Sequence, residues 1–133
     1  MTIDALKLLE CAERIFKADE GEATLRAVAS RAYYAGYHAA KGFHEALATP
    51  GSVMQARGRH EQLLAQLANP GISKNNRKHT ISVALSKSLR PTYSLRVTAD
   101  YHLHRPITQL QVSDSLAACR HVVEVANLHS KTD

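Results

Sequence analysis

Leu25, Val28, Ala32, Ala35, Ala39, Phe43 and Leu47 follow one another at intervals of three or four residues, the repeat of one face of an α-helix. The same period links Ile3, Leu6, Leu9, Ala12 and Phe16 near the start, and Val112, Leu116, Cys119, Val123 and Ala126 near the end. No segment alternates apolar and polar residues with period two, so no strand is expected. A helix with one apolar stripe must bury it against another helix. The pattern therefore predicts an all-α protein: an antiparallel up-and-down bundle of four to five helices, forming one domain over residues 1–133. Leu25, Val28, Phe43, Leu85, Leu116 and Val123 are the expected core.

Punctuation in the sequence divides the helices. The first should end near residues 19–21. The second should run from Glu22 to Ala48, stopped by "TPG" at 49–51, because proline disfavours helix in the residue before it. A short third helix, Arg59 to Ala68, is closed by "NPG", and "SKNNRKH" follows as a basic loop in which Asn76 can cap the next helix. Pro91 interrupts that next helix. Either the helix kinks there, or one helix ends at Leu89 and another begins with Pro91 in its first turn. Thr108 and Gln111 form the T-x-x-Q pattern of a capping box at the start of the last helix.

Composition excludes several classes of function. No apolar run approaches the roughly 20 residues that a membrane helix needs. The opening segment lacks the basic-then-apolar order of a secretion signal, and Cys11 and Cys119 stand far apart with no CxxC pair. They read as small buried thiols of a reduced, cytoplasmic protein. No glycine-rich phosphate loop is present, and "HLH" at 102–104, the one close histidine pair, has no carboxylate ligands around it, so neither cofactor nor metal is expected.

The formal charge of +5 is unevenly spread: residues 1–30 carry six acids against four bases, whereas residues 57–96 carry eight bases against Glu61 alone. Such a block attracts polyanions, RNA foremost, with Arg77, Lys78, Arg90 and the nearby Arg105 as candidate contacts; a solvated basic face is the alternative reading.

The stretch "LRVTADYHLHR", residues 95–105, carries the candidate chemistry. A guanidinium can hold a phosphate through two parallel hydrogen bonds and stabilise charge developing on its oxygens. An imidazole can take a proton from a ribose 2′-OH or return one to the leaving oxygen. Arg96 and His102 are such a pair, with His104 as the rival proton carrier. Six residues apart on a continuous helix they would point about 120° away from each other. They meet only if the helix ends between them, or if a second copy of the chain supplies the partner. Arg31 and His38 share a similar spacing, but in mid-helix, where packing roles are expected. Asp100 should be ion-paired inside the bundle, with Arg31 as the expected partner; the alternative is an exposed carboxylate.

The second helix also contains "SRAYYAGYHAA" at residues 30–40. Together with "R-x-x-ADY" at 96–101, this resembles the HEPN family, in which small prokaryotic members carry "SRAYYAAFHAA" early and "R-x-x-ADY" late. Ser30 to Ala35 and His38 to Ala40 match the first block; Arg96, Ala99, Asp100 and Tyr101 match the second. With the helix order, the resemblance covers roughly the whole chain. It implies a homodimeric helical bundle and a metal-independent endoribonuclease of toxin or defence type. Arg96 and His102 would be catalytic in the dimer cleft, oriented by Asp100 and Tyr101 and supported by Arg31 or Tyr34. Its implied partners are RNA and a cognate antitoxin or nucleotidyltransferase-like protein. Some members of the family are non-catalytic, so the resemblance also leaves a runner-up: a module that binds a partner protein or a nucleotide.

Overall fold

A computed structural model describes residues 4–19 and 21–130. Among them are five helices and no strand: α1 (Ala5–Ala18), α2 (Glu22–Glu45), α3 (Arg59–Ala68), α4 (Arg77–Tyr101) and α5 (Gln109–His129). They form the antiparallel bundle that the periodicity predicts. Helix α2 is its axis and touches each of the other four, while α4 and α5 pack on each other and α3 lies against α4. All six expected core residues are buried, together with Leu9, Ala12, Leu89, Val112 and Cys119. Ile3 lies outside the described residues.

The helix ends have local causes. Asp4 accepts the Lys7 N–H and Asn76 the Lys78 N–H, each satisfying an otherwise orphaned first-turn donor. At α5 the capping box is complete: Thr108 Oγ1 accepts from the Gln111 N–H, and Gln111 Oε1 accepts from the Thr108 N–H. Helix α2 stops at Glu45 rather than at Ala48. There the amide of Ala46 is shared between the carbonyls of Gly42 and Phe43, and Leu47 bonds back to His44, so the chain tightens into a turn before Pro50.

The two Pro-Gly corners sit against each other. A Cβ on Gly51 would come within 2.0 Å of the Gln66 carbonyl oxygen, and one on Gly71 within 2.3 Å of that of Pro50. Only glycine admits so close an approach of backbones. Beneath the corners, Ser82 and Ser86 of α4 donate to the carbonyls of Leu67 and Leu64 near the end of α3. These buried hydroxyls seat the short helix on the long one.

Pro91 does not divide α4, which runs unbroken from Arg77 to Tyr101. Of the two readings of the proline, the break at Leu89 does not occur and the helix continues through it. The proline is exposed at the edge of a groove between α4 and α5. Having no N–H, it leaves the Lys87 carbonyl without its helical donor, a cost that the long packed helix absorbs. Two turns of buried packing away from the proline, Leu85, Leu89 and Thr92, hold the element together.

Candidate functional site

The last turn of α4 faces the middle of α2. Arg96 projects inward and is only 9% exposed. Its Nη2 donates to the Tyr34 hydroxyl at 2.9 Å. Its Nε lies 2.9 Å from Asp100 Oδ2, an ion pair by distance, but the N–H is not aimed along that line and makes no aligned hydrogen bond. The guanidinium carbon stands 5.1 Å from the Tyr34 ring centre and 5.3 Å from that of Tyr101, so aromatic faces flank the cation. Asp100 also accepts from Ser30 Oγ at 3.1 Å.

The carboxylate is thus ion-paired, but with Arg96 and not with Arg31, and Asp100 is exposed at the helix end rather than inside the bundle. Arg31 is exposed. It follows Ser30, the residue that does reach Asp100, and so stands about 100° further round α2. His38 is exposed as well, so neither residue fills the packing role expected of it.

Helix α4 ends between Arg96 and His102, the condition their spacing imposed. His102 is the C-cap; its backbone N–H donates to the Thr98 carbonyl at 3.0 Å, and its half-buried ring lies 6.2 Å from that of the exposed His104. The structure therefore brings Arg96, Asp100, Tyr101 and Tyr34 into one cluster and puts the two histidines together on the following loop. The polar partners of Arg96 are Tyr34 and Asp100, and His102 is not among them.

Arg26, which the sequence reading missed, fixes that loop. Its guanidinium donates to the carbonyls of Thr98, Ala99, His102 and Leu103 at 3.1–3.4 Å, and also to that of Arg105. Glu22, one turn earlier, pairs with Arg26 at 3.1 Å and accepts the Ile107 N–H. A cation at a helix C-terminus satisfies orphan carbonyls and opposes the negative end of the dipole. The Glu22–Arg26 spacing of i, i+4 was visible, but nothing in it named a loop some 75 residues on as the target.

His60 was also missed. It opens α3 on the same face as Leu63, Leu64 and Leu67, which carries its ring into the tyrosines of α2. Nδ1 lies 2.7 Å from the hydroxyl of fully buried Tyr33. The rings of Tyr37, Tyr33, Tyr34 and Tyr93 surround it at 4.7–5.7 Å. Burial first, then the charges of Arg96, Arg59 and His38, hold His60 below the ordinary histidine range. Burial also raises the Tyr33 hydroxyl, which stays protonated.

The residues expected to touch RNA are dispersed. Arg77, Arg90 and Arg105 are exposed, Arg90 beside Glu61 at 3.3 Å, and Lys78 is half-buried at the start of α4. Cys119 is buried, its thiol pushed up to about 11 by desolvation, whereas Cys11 is half-buried. Among the described residues no three His, Cys, Asp or Glu side chains are grouped to hold a metal, and no helix is long and apolar enough to cross a membrane. The site is thus a tyrosine-flanked arginine with a fixed carboxylate, beside an ordered histidine loop. Comparison with models of protein families, with curated proteins and with solved structures finds no match.

Proposed function

We propose that the chain is a homodimeric, metal-independent endoribonuclease of the HEPN type, acting as a toxin or defence enzyme. The observation that carries this reading is Arg96: a guanidinium flanked by two tyrosine rings, oriented by Asp100 and Tyr34, one turn before a helix end that presents His102 and His104. Arginine contributes charge where a phosphorane develops it. Histidine takes the 2′-OH proton, the 2′ oxygen attacks its own phosphate, and the proton passes to the departing 5′ oxygen. The dimer supplies a second copy of each group to one cleft. Tyr101, Leu103 and Leu110 are large, apolar and exposed beside the site, a surface that a two-fold partner would cover.

The burial of Arg96 favours one further reading. In a non-catalytic module the same cluster ties α4 to α2, and the surface binds a nucleotidyltransferase-like antitoxin or a nucleotide. Incubation of the purified protein with total RNA in EDTA separates the two. Cleavage is expected, with 2′,3′-cyclic phosphate ends and loss in His102→Ala and in a folded, dimeric Arg96→Ala. Retained cleavage in His102→Ala with loss in His104→Ala moves the proton carrier. No cleavage by the wild-type dimer leaves the binding module, and a monomer by light scattering removes the shared cleft.

A further inference from the structure

The loop that carries the histidines has no apolar anchor of its own. Leu103, His104, Arg105 and Pro106 are exposed, and the first buried side chain after Ala99 is Ile107. A segment with so few buried contacts ordinarily opens and closes on its own. Here one side chain restrains it. Arg26, with only 12% of its side chain exposed, donates through Nη1 to the Thr98 and Ala99 carbonyls in the last turn of α4 and to that of His102, where the loop begins. Its Nη2 reaches the carbonyls of Leu103 and Arg105. Glu22 Oε1 accepts from Arg26 Nη2 at 3.1 Å and from the Ile107 N–H at 3.2 Å, which ties the far end of the loop to the same guanidinium.

The residues responsible form one row. Glu22, Arg26, Ser30 and Tyr34 recur every four residues and so lie along one face of α2. Taken in order they meet the Ile107 N–H, the carbonyls between Thr98 and Arg105, the Asp100 carboxylate and the Arg96 guanidinium. Ser30 and Tyr34 hold side chains of the arginine cluster. Arg26 grips both the turn that carries Arg96 and Asp100 and the loop that carries His102 and His104. We propose that Arg26 is a positioning residue for the proton-transfer step, locking the arginine turn and the histidine loop into one piece. The inference deepens the ribonuclease reading and rests on it for its consequence in catalysis. Held at the backbone, His102 keeps only its side-chain torsions: its N–H donates to Thr98, and its carbonyl accepts from the Arg105 N–H and from Arg26. His104 lies between Leu103 and Arg105, both gripped through their carbonyls, so the restraint serves whichever imidazole moves the proton. Because the grip is on backbone, it sets where an imidazole stands without occupying its nitrogens. Misplacing a reacting group by about 1 Å can cost about a hundredfold in rate, which is the scale on which such a restraint acts.

The test pairs RNA cleavage with the imidazole signals of His102 and His104, read by NMR in the whole protein. Arg26→Lys keeps a cation but loses the planar fork that spans two stretches of backbone. It is measured beside Arg120→Ala, which loses the Glu13 pair between α1 and α5 and so lowers stability away from the row. Arg26→Lys is expected to lower kcat for an RNA oligonucleotide by about 10–100-fold, with KM changed by less than about threefold. Both ring signals should move towards those of an unstructured peptide. Arg120→Ala should leave kcat and both ring signals as in the wild type. Rings that coincide with the wild type in Arg26→Lys, or displaced rings with kcat unchanged, overturn the inference. An equal fall of kcat in Arg120→Ala overturns it too, because lost stability alone would then account for the effect. If circular dichroism shows Arg26→Lys unfolded, Glu22→Gln, which weakens the clasp at one end, takes its place, with displaced rings and a smaller fall in kcat expected. Wild-type protein that cuts no RNA removes the ribonuclease reading and the catalytic part of the inference with it; displaced rings in Arg26→Lys then mark the failure as one of chemistry and not of placement.

Discussion

Arg26 and Arg96 are both nearly buried arginines near the end of α4, and they do different things. Arg96 spends its polar contacts on two side chains, Tyr34 and Asp100. Arg26 spends its contacts on backbone, collecting carbonyls from Thr98 to Arg105 at and beyond the end of α4, those of Thr98 and His102 shared with the His102 and Arg105 N–H groups. Hydrogen bonds from charged donors contribute about 1.5–3 kcal/mol each in isolation, but these share one guanidinium and compete with water. Arg26→Ala should therefore destabilise the fold by roughly 2–3 kcal/mol in urea denaturation. It should also speed amide exchange in residues 102–105. A loss of stability below about 0.5 kcal/mol, the scatter of ordinary surface substitutions, would show that the loop is held by something else.

At the scale of elements, α4 carries two conflicting instructions. Its buried row, Ser82, Leu85, Ser86, Leu89, Thr92, Arg96 and Ala99, demands one straight face, while Pro91 removes a hydrogen bond from its middle. Packing wins because the row contacts α2, α3 and α5 along most of its length. A proline in a helix interior costs about 3 kcal/mol relative to alanine, and the stiffer unfolded chain that proline gives returns up to about 1 kcal/mol. Pro91→Ala is thus expected to raise stability by roughly 1–2 kcal/mol, read as a higher urea midpoint with unchanged slope. A lower midpoint would mean that the groove-facing proline ring contributes packing that outweighs the restored bond.

Across the whole molecule, buried histidines tie stability to pH. His44 and His60 are both held below the ordinary value of 6.5, chiefly by burial. Each accepts or shares a hydrogen bond through a ring nitrogen, with the Gly51 N–H and the Tyr33 hydroxyl. A histidine whose folded pKa is depressed binds fewer protons folded than unfolded between the two values. Its contribution is therefore full above the unfolded pKa and is lost as pH falls below it. Glu13, held low by its hydrogen bonds to Arg120 across α1 and α5, acts in the same direction further down, losing its contribution as pH falls below the ordinary 4.5. The unfolding free energy should fall between about pH 7 and 5 and again below pH 4.5. His44→Gln should flatten the first of these slopes. A profile flat from neutral pH to 5 would show that both histidines protonate in place without cost.

The helices were legible because their instructions are local. Apolar spacing, Asn76, the Thr108–Gln111 box and the Pro-Gly corners act within a turn or two, so the order of elements and residues such as Leu25, Phe43 and Val123 could be read directly. Arg96, Asp100 and Tyr34 were likewise marked as belonging to one site. Which of them touch was not marked. Ser30 rather than Arg31 meets Asp100 because of a single residue of helical rotation set by how α2 and α4 cross. His60 and Arg26 enter only through contacts between elements distant in sequence, with α3 laid across the tyrosines and the α4–α5 loop folded back onto the first turn of α2. Periodicity states which face of a helix turns inward; only the packed tertiary structure decides which residue of another helix it meets there.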